Sequence, residues 1–301
     1  MWYLKLHVME KQNAICGSGG YVMDYRIIVD SCGELTEEMK ESGIYETAPL
    51  SMEVGGVTVI DDETFDQADF LRRAAASPEC PKSSCPSPEK YMELYCCSAE
   101  RVYAVTLSSE LSGSYNSAEL GKKLYEEEHG DKKIYVFNSR SASVGETLIA
   151  MKIRECEEKG MSFEEVVSTV ESYIEGQHTY FVLENLDTLR KNGRLTGIKS
   201  FVASALNIKP VMGSTPKGTI CQLGQARGVK RALVKMADCI QKDAVDPSQK
   251  VLAVAHCNCP ERAKEVKDLL LERLKVKSSF IVDTAGISTM YANDGGIIVV
   301  L

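Results

Sequence analysis

The residues with the most chemistry in this chain are serines placed just ahead of helices. VYAVTL runs into SSELSGSYNSA, which gathers Ser108, Ser109, Ser112 and Ser114 around Gly113. A second cluster, PKSSCPS, sets Ser83, Ser84 and Ser87 before Pro88. Hydroxyls in such places can be nucleophiles, donors to an anion, or helix caps. A serine nucleophile needs an elbow and a base. No G-x-S-x-G occurs, and the histidines at 7, 129, 178 and 256 suggest no triad by spacing. A nucleotide site needs a Walker A or a G-x-G-x-x-G turn after a strand. Neither is present, and GSGG at 17–20 follows no strand. Two readings stay level on composition. One is plain capping, expected of Ser87 and Ser112. The other is an anion nest, in which hydroxyls join the unpaired N–H groups of two helix N-termini.

The elements that must position these serines alternate between strand and helix. RIIVD (26–30), VYAVTL (102–107) and KIYVFNS (133–139) read as buried strands. YETAPLSMEV and VTVIDD (45–62) read as a β excursion, and SPECPKSSCPS as a loop. Helices are expected after Thr36, over 65–76, after Ser87-Pro88, from near Gly113, and over 145–160. Ser162-Phe-Glu-Glu165 is a capping box, and its helix carries a core stripe of Phe163, Val166, Val167, Val170, Tyr173 and Ile174. This alternation predicts a parallel sheet covered by helices over residues 23–176. TYFVLE, NIKPVM, TICQLG, VLAVAHC and SFIVDTA, with helices at 227–243 and 260–274, predict a second α/β layer domain over 177–301. Ligands of open parallel sheets collect beyond the carboxyl ends of the strands, where both serine clusters fall.

The chain's bulk properties narrow the function further. With 301 residues it is long enough for two domains, and its 44% hydrophobic and 26% charged residues are those of a globular protein. A net charge of −8 excludes broad nucleic-acid binding. Eleven irregularly spaced cysteines without a signal peptide predict reduced thiols in the cytoplasm. HCNC (His256, Cys257, Cys259) has no second ligand cluster to answer it, so no metal is expected. Residues 1–22 are too broken for a membrane span and lack a cleavage pattern. They are expected to be a disordered leader or to follow a mis-assigned start, and no stable membrane insertion is expected elsewhere.

Seven stretches, in order, resemble the DegV family of bacterial fatty-acid-binding proteins: IIVDSCGEL (27–35), PLSMEVGGVTVIDDE (49–63), PKSSCPS (81–87), LSSELSGSYNSA (107–118), LDTLRKNGRLT (186–196), NIKPVM (207–212) and ARGVKRAL (226–233). The resemblance covers residues 23–301. It implies two α/β domains with one long-chain fatty acid between them as ligand, and no cofactor. It implies a carboxylate hydrogen-bonded by Ser83 and Ser112, with Ser84 and Ser109 close by. It also implies no catalysis by this chain alone. Instead the fatty acid is presented to a separate ATP-dependent kinase subunit, with Arg194 and Arg227 facing that partner or the incoming phosphate.

The chain departs from the family pattern at its C-terminal stretch. STMYANDGGIIVV (288–300) stands where the family reads His-x-Gly-Pro-Gly, so Tyr291 takes the histidine's place and Asp294 the proline's. A tyrosine can donate one hydrogen bond to a carboxylate but does not titrate near neutral pH. Lipid binding therefore carries over more directly than phosphotransfer. Cys85 replaces glutamine, and Ser83 a threonine. The competing readings are a carrier of another amphiphilic acid without a kinase role, and a hydrolase or small-molecule kinase built on the serine cradle.

Overall fold

The computed structural model describes residues 24–195 and 207–301; the expected leader, residues 1–22, lies outside them. Strands β1 (Tyr25–Asp30), β2 (Tyr45–Ala48), β6 (Arg101–Thr106) and β7 (Lys133–Asn138) form a wholly parallel sheet in the order β2-β1-β6-β7. Their apolar runs lack alternation because helices bury both faces. On one face, Tyr91 and Tyr95 of α3 (Pro88–Tyr95) and Ala118 of α4 (Ser114–His129) pack on Ile28, Ala104 and Val136. On the other, Ile149 and Ile153 of α5 (Val144–Glu158) and Val166 and Val170 of α6 (Phe163–Glu175) pack on Ile27, Val29 and Val105.

Local signals set the helix starts. Thr36 caps α1 (Glu37–Glu41), Ser87 caps α3, and both halves of the Ser162–Glu165 capping box are made. At α4 the expectation fails: Gly113 occupies the cap position without a side-chain bond. The preceding loop folds back, so that Leu111 and Ser112 N–H groups donate to Ser108 O (2.9 and 3.0 Å). Ser112 is thereby placed one residue before the cap, where its Oγ accepts from Ser114 N–H (3.2 Å).

The β excursion divides. β2 joins the parallel sheet, whereas β3 (Ser51–Val54) and β4 (Val57–Ile60) form a hairpin on Gly55-Gly56, both at positive φ. Lys82–Ser84, expected as loop, is a strand (β5) on the other edge of β3, giving a small antiparallel sheet β4-β3-β5. Between its strands lies α2 (Gln67–Ala76).

The C-terminal half is a mixed six-stranded sheet, β10-β9-β8-β13-β11-β12. Its strands are β8 (Thr179–Val182), β9 (Ile208–Ser214), β10 (Ile220–Arg227), β11 (Val251–His256), β12 (Ser278–Asp283) and β13 (Ile297–Val300). Only β11 and β12 run parallel. β13 is not among the strands expected from the sequence, yet it lies inside the sheet. One face is covered by α8 (Val229–Asp243) and α9 (Pro260–Arg273) through Leu233, Met236, Ile240, Val266 and Leu270. The other face looks toward the parallel sheet. There Val144 and Leu148 of α5 meet Ala253, Ala255 and Val300, so α5 serves two cores and buries residues 144–150 without a break. Two short helices, α7 (Asp187–Lys191) and α10 (Gly286–Ala292), complete the described α-helices. No described helix is long and apolar enough to cross a membrane.

Candidate ligand-binding site

Strands β1 and β6 end side by side, and a buried carboxyl organises the loops beyond them. Asp30 is inaccessible to solvent. Its Oδ1 accepts from Cys32 N–H (3.1 Å), and its Oδ2 from Leu107 N–H (2.9 Å) and Ser114 Oγ–H (2.6 Å). Tyr91 OH in turn donates to Ser114 Oγ (2.7 Å). Glu146 of α5 is also inaccessible to solvent, and neither of its carboxyl oxygens has a hydrogen-bond partner among the described residues. Burial, reinforced by the Asp30 charge, pushes the Glu146 carboxyl well up, and burial raises Asp30 as well.

This network sorts the serine loop. Ser114 belongs to the scaffold. Ser108 is buried and donates to Gly218 O (3.0 Å), joining the loop to the β9–β10 turn. Gly218 sits at φ 88°, and a Cβ there would stand 2.3 Å from Ser108 Oγ and 2.8 Å from Arg140 Cα. Only glycine permits that approach. Ser109 Oγ accepts from Asn138 Nδ2 (2.8 Å), and its N–H donates back to Asn138 Oδ1 (3.1 Å). Ser112 lines a cavity, and among the described residues its O–H has no protein acceptor.

The second serine cluster is sorted by strand periodicity. On β5, Ser83 turns inward and its Oγ lies 3.0 Å from Tyr291 OH on α10. Ser84, one residue on, faces the opposite way and is exposed. Burial raises the Tyr291 pKa, which keeps the phenol neutral and able to donate. Arg194 follows α7; its Nε donates to Leu111 O (3.0 Å), and its guanidinium lies 5.8 Å from the Tyr291 ring centroid. Arg227 is exposed at the end of β10 and does not reach this group. Asp294 turns to the exterior, where it accepts from Asn258 Nδ2 (3.0 Å).

Ser83, Ser112, Tyr291 and Arg194 all line one cavity between the two large sheets, whereas Ser84, Ser109 and Arg227 do not. It contains about 840 Å³ of atom-free space, part of it open to solvent. Leu50, Leu107, Phe181, Leu183, Ile287 and Ile298 give it an apolar lining. Other hydroxyls in the wall are turned back into the protein. Ser141 pairs with Thr179 (2.6 Å), Ser143 donates to Glu34 (2.8 Å), and Ser288 to Cys32 O (3.1 Å). They offer mainly carbon to the cavity. Two charged neighbours carry no mark in the sequence pattern that singles them out as site residues. Arg140 lines the cavity at φ 50°, just beyond the carboxyl end of β7. Glu34 sits behind Ser143, and burial pushes its carboxyl up to about 7. The location of NSRSAS after a parallel strand is the one available signal for Arg140.

His256, Cys257 and Cys259 form no ligand set: His256 Nδ1 accepts from Cys259 N–H (3.3 Å) and lies 3.3 Å from Asp283. Among the described residues no group of His, Cys, Asp and Glu could hold a metal ion, and the ten described cysteines are free.

A family model described as an uncharacterised protein of the DegV family matches residues 24–300. The chain belongs to the DegV family. A DegV domain-containing protein of Streptococcus gordonii is 31% identical over 279 residues, which is 92% of this chain and 98% of that protein. A DegV family protein of Ruminococcus gnavus, refined with vaccenic acid, is 68% identical with a TM-score of 0.91 and covers 93% of this chain and 100% of its own. The Streptococcus pneumoniae fatty acid kinase (Fak) B3 protein, loaded with linoleic acid, is 31% identical with a TM-score of 0.82, covering 92% and 99%. The two-domain α/β architecture inferred from the sequence is thus the DegV fold. In this DegV chain, the Tyr291 hydroxyl meets Ser83 Oγ at 3.0 Å.

Proposed function

We propose that this DegV protein binds one long-chain fatty acid in the cavity, with the carboxylate hydrogen-bonded by Ser83, Ser112 and Tyr291. The reading rests chiefly on one observation. The cavity lining is mainly apolar, and Ser83, Ser112, Tyr291 and Arg194 all border it, with Ser83 and Arg194 both beside Tyr291. Relatives that hold vaccenic and linoleic acids support it.

Energetics favour such a division. Each buried CH₂ contributes about 0.8 kcal/mol, so a long acyl chain supplies most of the gross affinity. The head group then needs its hydrogen bonds satisfied, each worth about 1.5–3 kcal/mol with a charged acceptor. Arg194 adds a positive field without a lysine's point charge. The protein has no catalytic step of its own in this reading. It acts as a cytoplasmic carrier that presents the head group to a separate ATP-dependent fatty acid kinase subunit. Arg194 then faces the phosphate being delivered, and Arg227 the docking partner.

The test is mass spectrometry of an organic extract of the purified protein. One fatty acid per chain is the expected result. Another amphiphilic acid at that stoichiometry, or failure of the emptied protein to bind oleic acid, overturns it. Turnover of ATP or esters by the pure protein would favour the enzyme reading instead.

A further inference from the structure

The two hydroxyls that meet at the head-group end come from opposite parts of the chain. Ser83 sits on the small sheet and Tyr291 on α10, and nothing local forces them together. α10 has seven residues, too few to be stable by itself, and Ala285 at its cap position offers no side-chain bond. Its buried first-turn N–H groups are satisfied from 225 residues away. Asp61, just past β4, accepts from Gly286 N–H with Oδ1 (2.7 Å) and from Ile287 N–H with Oδ2 (2.8 Å).

The approach is built in on both sides. Asp61 is 2% exposed, and its own N–H donates to Leu50 O (2.9 Å), which ties it to the start of β3. A Cβ on Gly286 would stand 2.6 Å from Asp61 Oδ1 and 2.4 Å from Met52 Cε, so glycine is what lets the carboxylate reach the helix. Gln67 on α2 grips the same segment: its Nε2 lies 2.9 Å from Asp283 Oδ1, 3.0 Å from Thr284 O and 3.2 Å from Thr289 Oγ1. β3 closes the circuit by pairing Met52 with Ser83. One path therefore runs from Asp61 through β3 to Ser83, and another from Asp61 through α10 to Tyr291. They meet at the 3.0 Å contact.

We propose that Asp61 is the positioning residue of the head-group site, the clamp through which the small sheet fixes α10 and so sets Tyr291 against Ser83. Gln67 is its auxiliary. The clamp makes the site selective for an acid over a neutral head group. This selectivity rests on the fatty-acid reading above; the positioning does not.

The experiment uses the full chain with ¹³C-labelled tyrosine, the Tyr291 ring resonance being identified by its loss in Tyr291→Phe. Asp61→Asn keeps the shape but presents an NH₂ to one of the two N–H donors. Gln67→Ala loosens the same segment without touching a buried charge, and Asp62→Asn, at a half-buried neighbour whose carboxylate bonds only Thr64, is the control. The Tyr291 resonance should move in the first two variants and stay in the third. Oleic acid affinity should fall about tenfold in Asp61→Asn, the loss of roughly one charged hydrogen bond, while oleyl alcohol affinity stays within about twofold. An unmoved resonance in both Asp61→Asn and Gln67→Ala overturns the positioning. Equal losses for acid and alcohol overturn the selectivity, since general destabilisation would produce them. A wild-type protein that binds neither compound defeats the fatty-acid reading, while the resonance still decides the clamp.

Discussion

The loop after β6 and the strand β5 look alike in sequence, each a run of serines ahead of a helix, and the fold uses them in opposite ways. In the loop, most hydroxyls and amides are engaged by the protein: Ser114 by Asp30 and Tyr91, Ser108 by Gly218, Ser109 by Asn138. On β5, Ser83 meets only another hydroxyl, Tyr291, at the cavity. Residue type does not distinguish a scaffold serine from a binding serine. The number of buried acceptors within reach does. A hydroxyl buried against a carboxylate is structural because leaving that carboxylate short costs more than a ligand bond returns.

The largest effect should come from the scaffold side. Ser114→Ala removes one acceptor bond from a fully buried Asp30 and strands the Tyr91 hydroxyl. We expect a loss of about 2–3 kcal/mol in urea unfolding, the scale of a broken buried network. A loss below about 0.5 kcal/mol would erase the contrast drawn between the two regions.

Next in size is a pH effect from other buried carboxyls. Burial raises Glu34 from 4.5 to about 7 and Asp61 from 3.8 to about 6. Among the described residues no lysine, arginine or histidine pairs with either of them, or with Asp30 or Glu146. Between the unfolded and folded values the folded chain holds more protons than the unfolded one. The stability from these groups is complete below about pH 4 and is lost as pH rises through 6 and 7. Exposed carboxylates with lowered values, such as Asp69 and Glu165, act oppositely but below that window, while His178 and His256, whose values burial lowers, oppose part of the effect within it. The urea midpoint should therefore fall between pH 5 and pH 7.5, by an amount on the order of 2 kcal/mol, and Glu34→Gln should flatten the slope. A midpoint that rises over this range would contradict the assignment.

On the binding side the effect moves from stability to affinity. Ser83→Ala should weaken oleic acid about tenfold, near 1.4 kcal/mol, with unfolding changed by less than about 0.5 kcal/mol. Titration calorimetry together with urea unfolding separates the two. The reverse pattern, a destabilised protein of unchanged affinity, would put Ser83 among the scaffold serines.

How much of this is legible in the sequence depends on the range of the interaction. Caps at Thr36, Ser87 and Ser162 are set by bonds across three residues, and the sequence alone locates them. The stripe of α6 and the buried strands β1, β6 and β7 follow from composition and period. β5 is not legible because three residues of a serine- and proline-rich stretch become a strand only where β3 offers an edge. β13 and α10 are hidden in a Gly-rich C-terminal stretch whose partners lie far away in sequence. The resemblance points to Ser83 and Ser112, with Ser84 and Ser109 close by, but the residues themselves do not show that Ser84 and Ser109 are kept off the cavity wall. The first depends on strand phase, the second on Asn138, and neither is visible in a spacing.

That separation yields the smallest effect and the sharpest probe of the contrast. Ser84 is exposed on the face of β5 turned away from Tyr291, and Ser109 is held in a two-way exchange with Asn138. The double variant Ser84→Ala/Ser109→Ala should bind oleic acid within about twofold of wild type, because neither oxygen faces the cavity. It should lose only about 0.5–1 kcal/mol of stability, the worth of one half-buried neutral hydrogen bond. A tenfold loss of affinity would mean that ligand entry pulls the loop after β6 out of its Asn138 exchange. The division between scaffold and binding serines would then describe the empty cavity alone, and Ser109 would join Ser112 at the carboxylate.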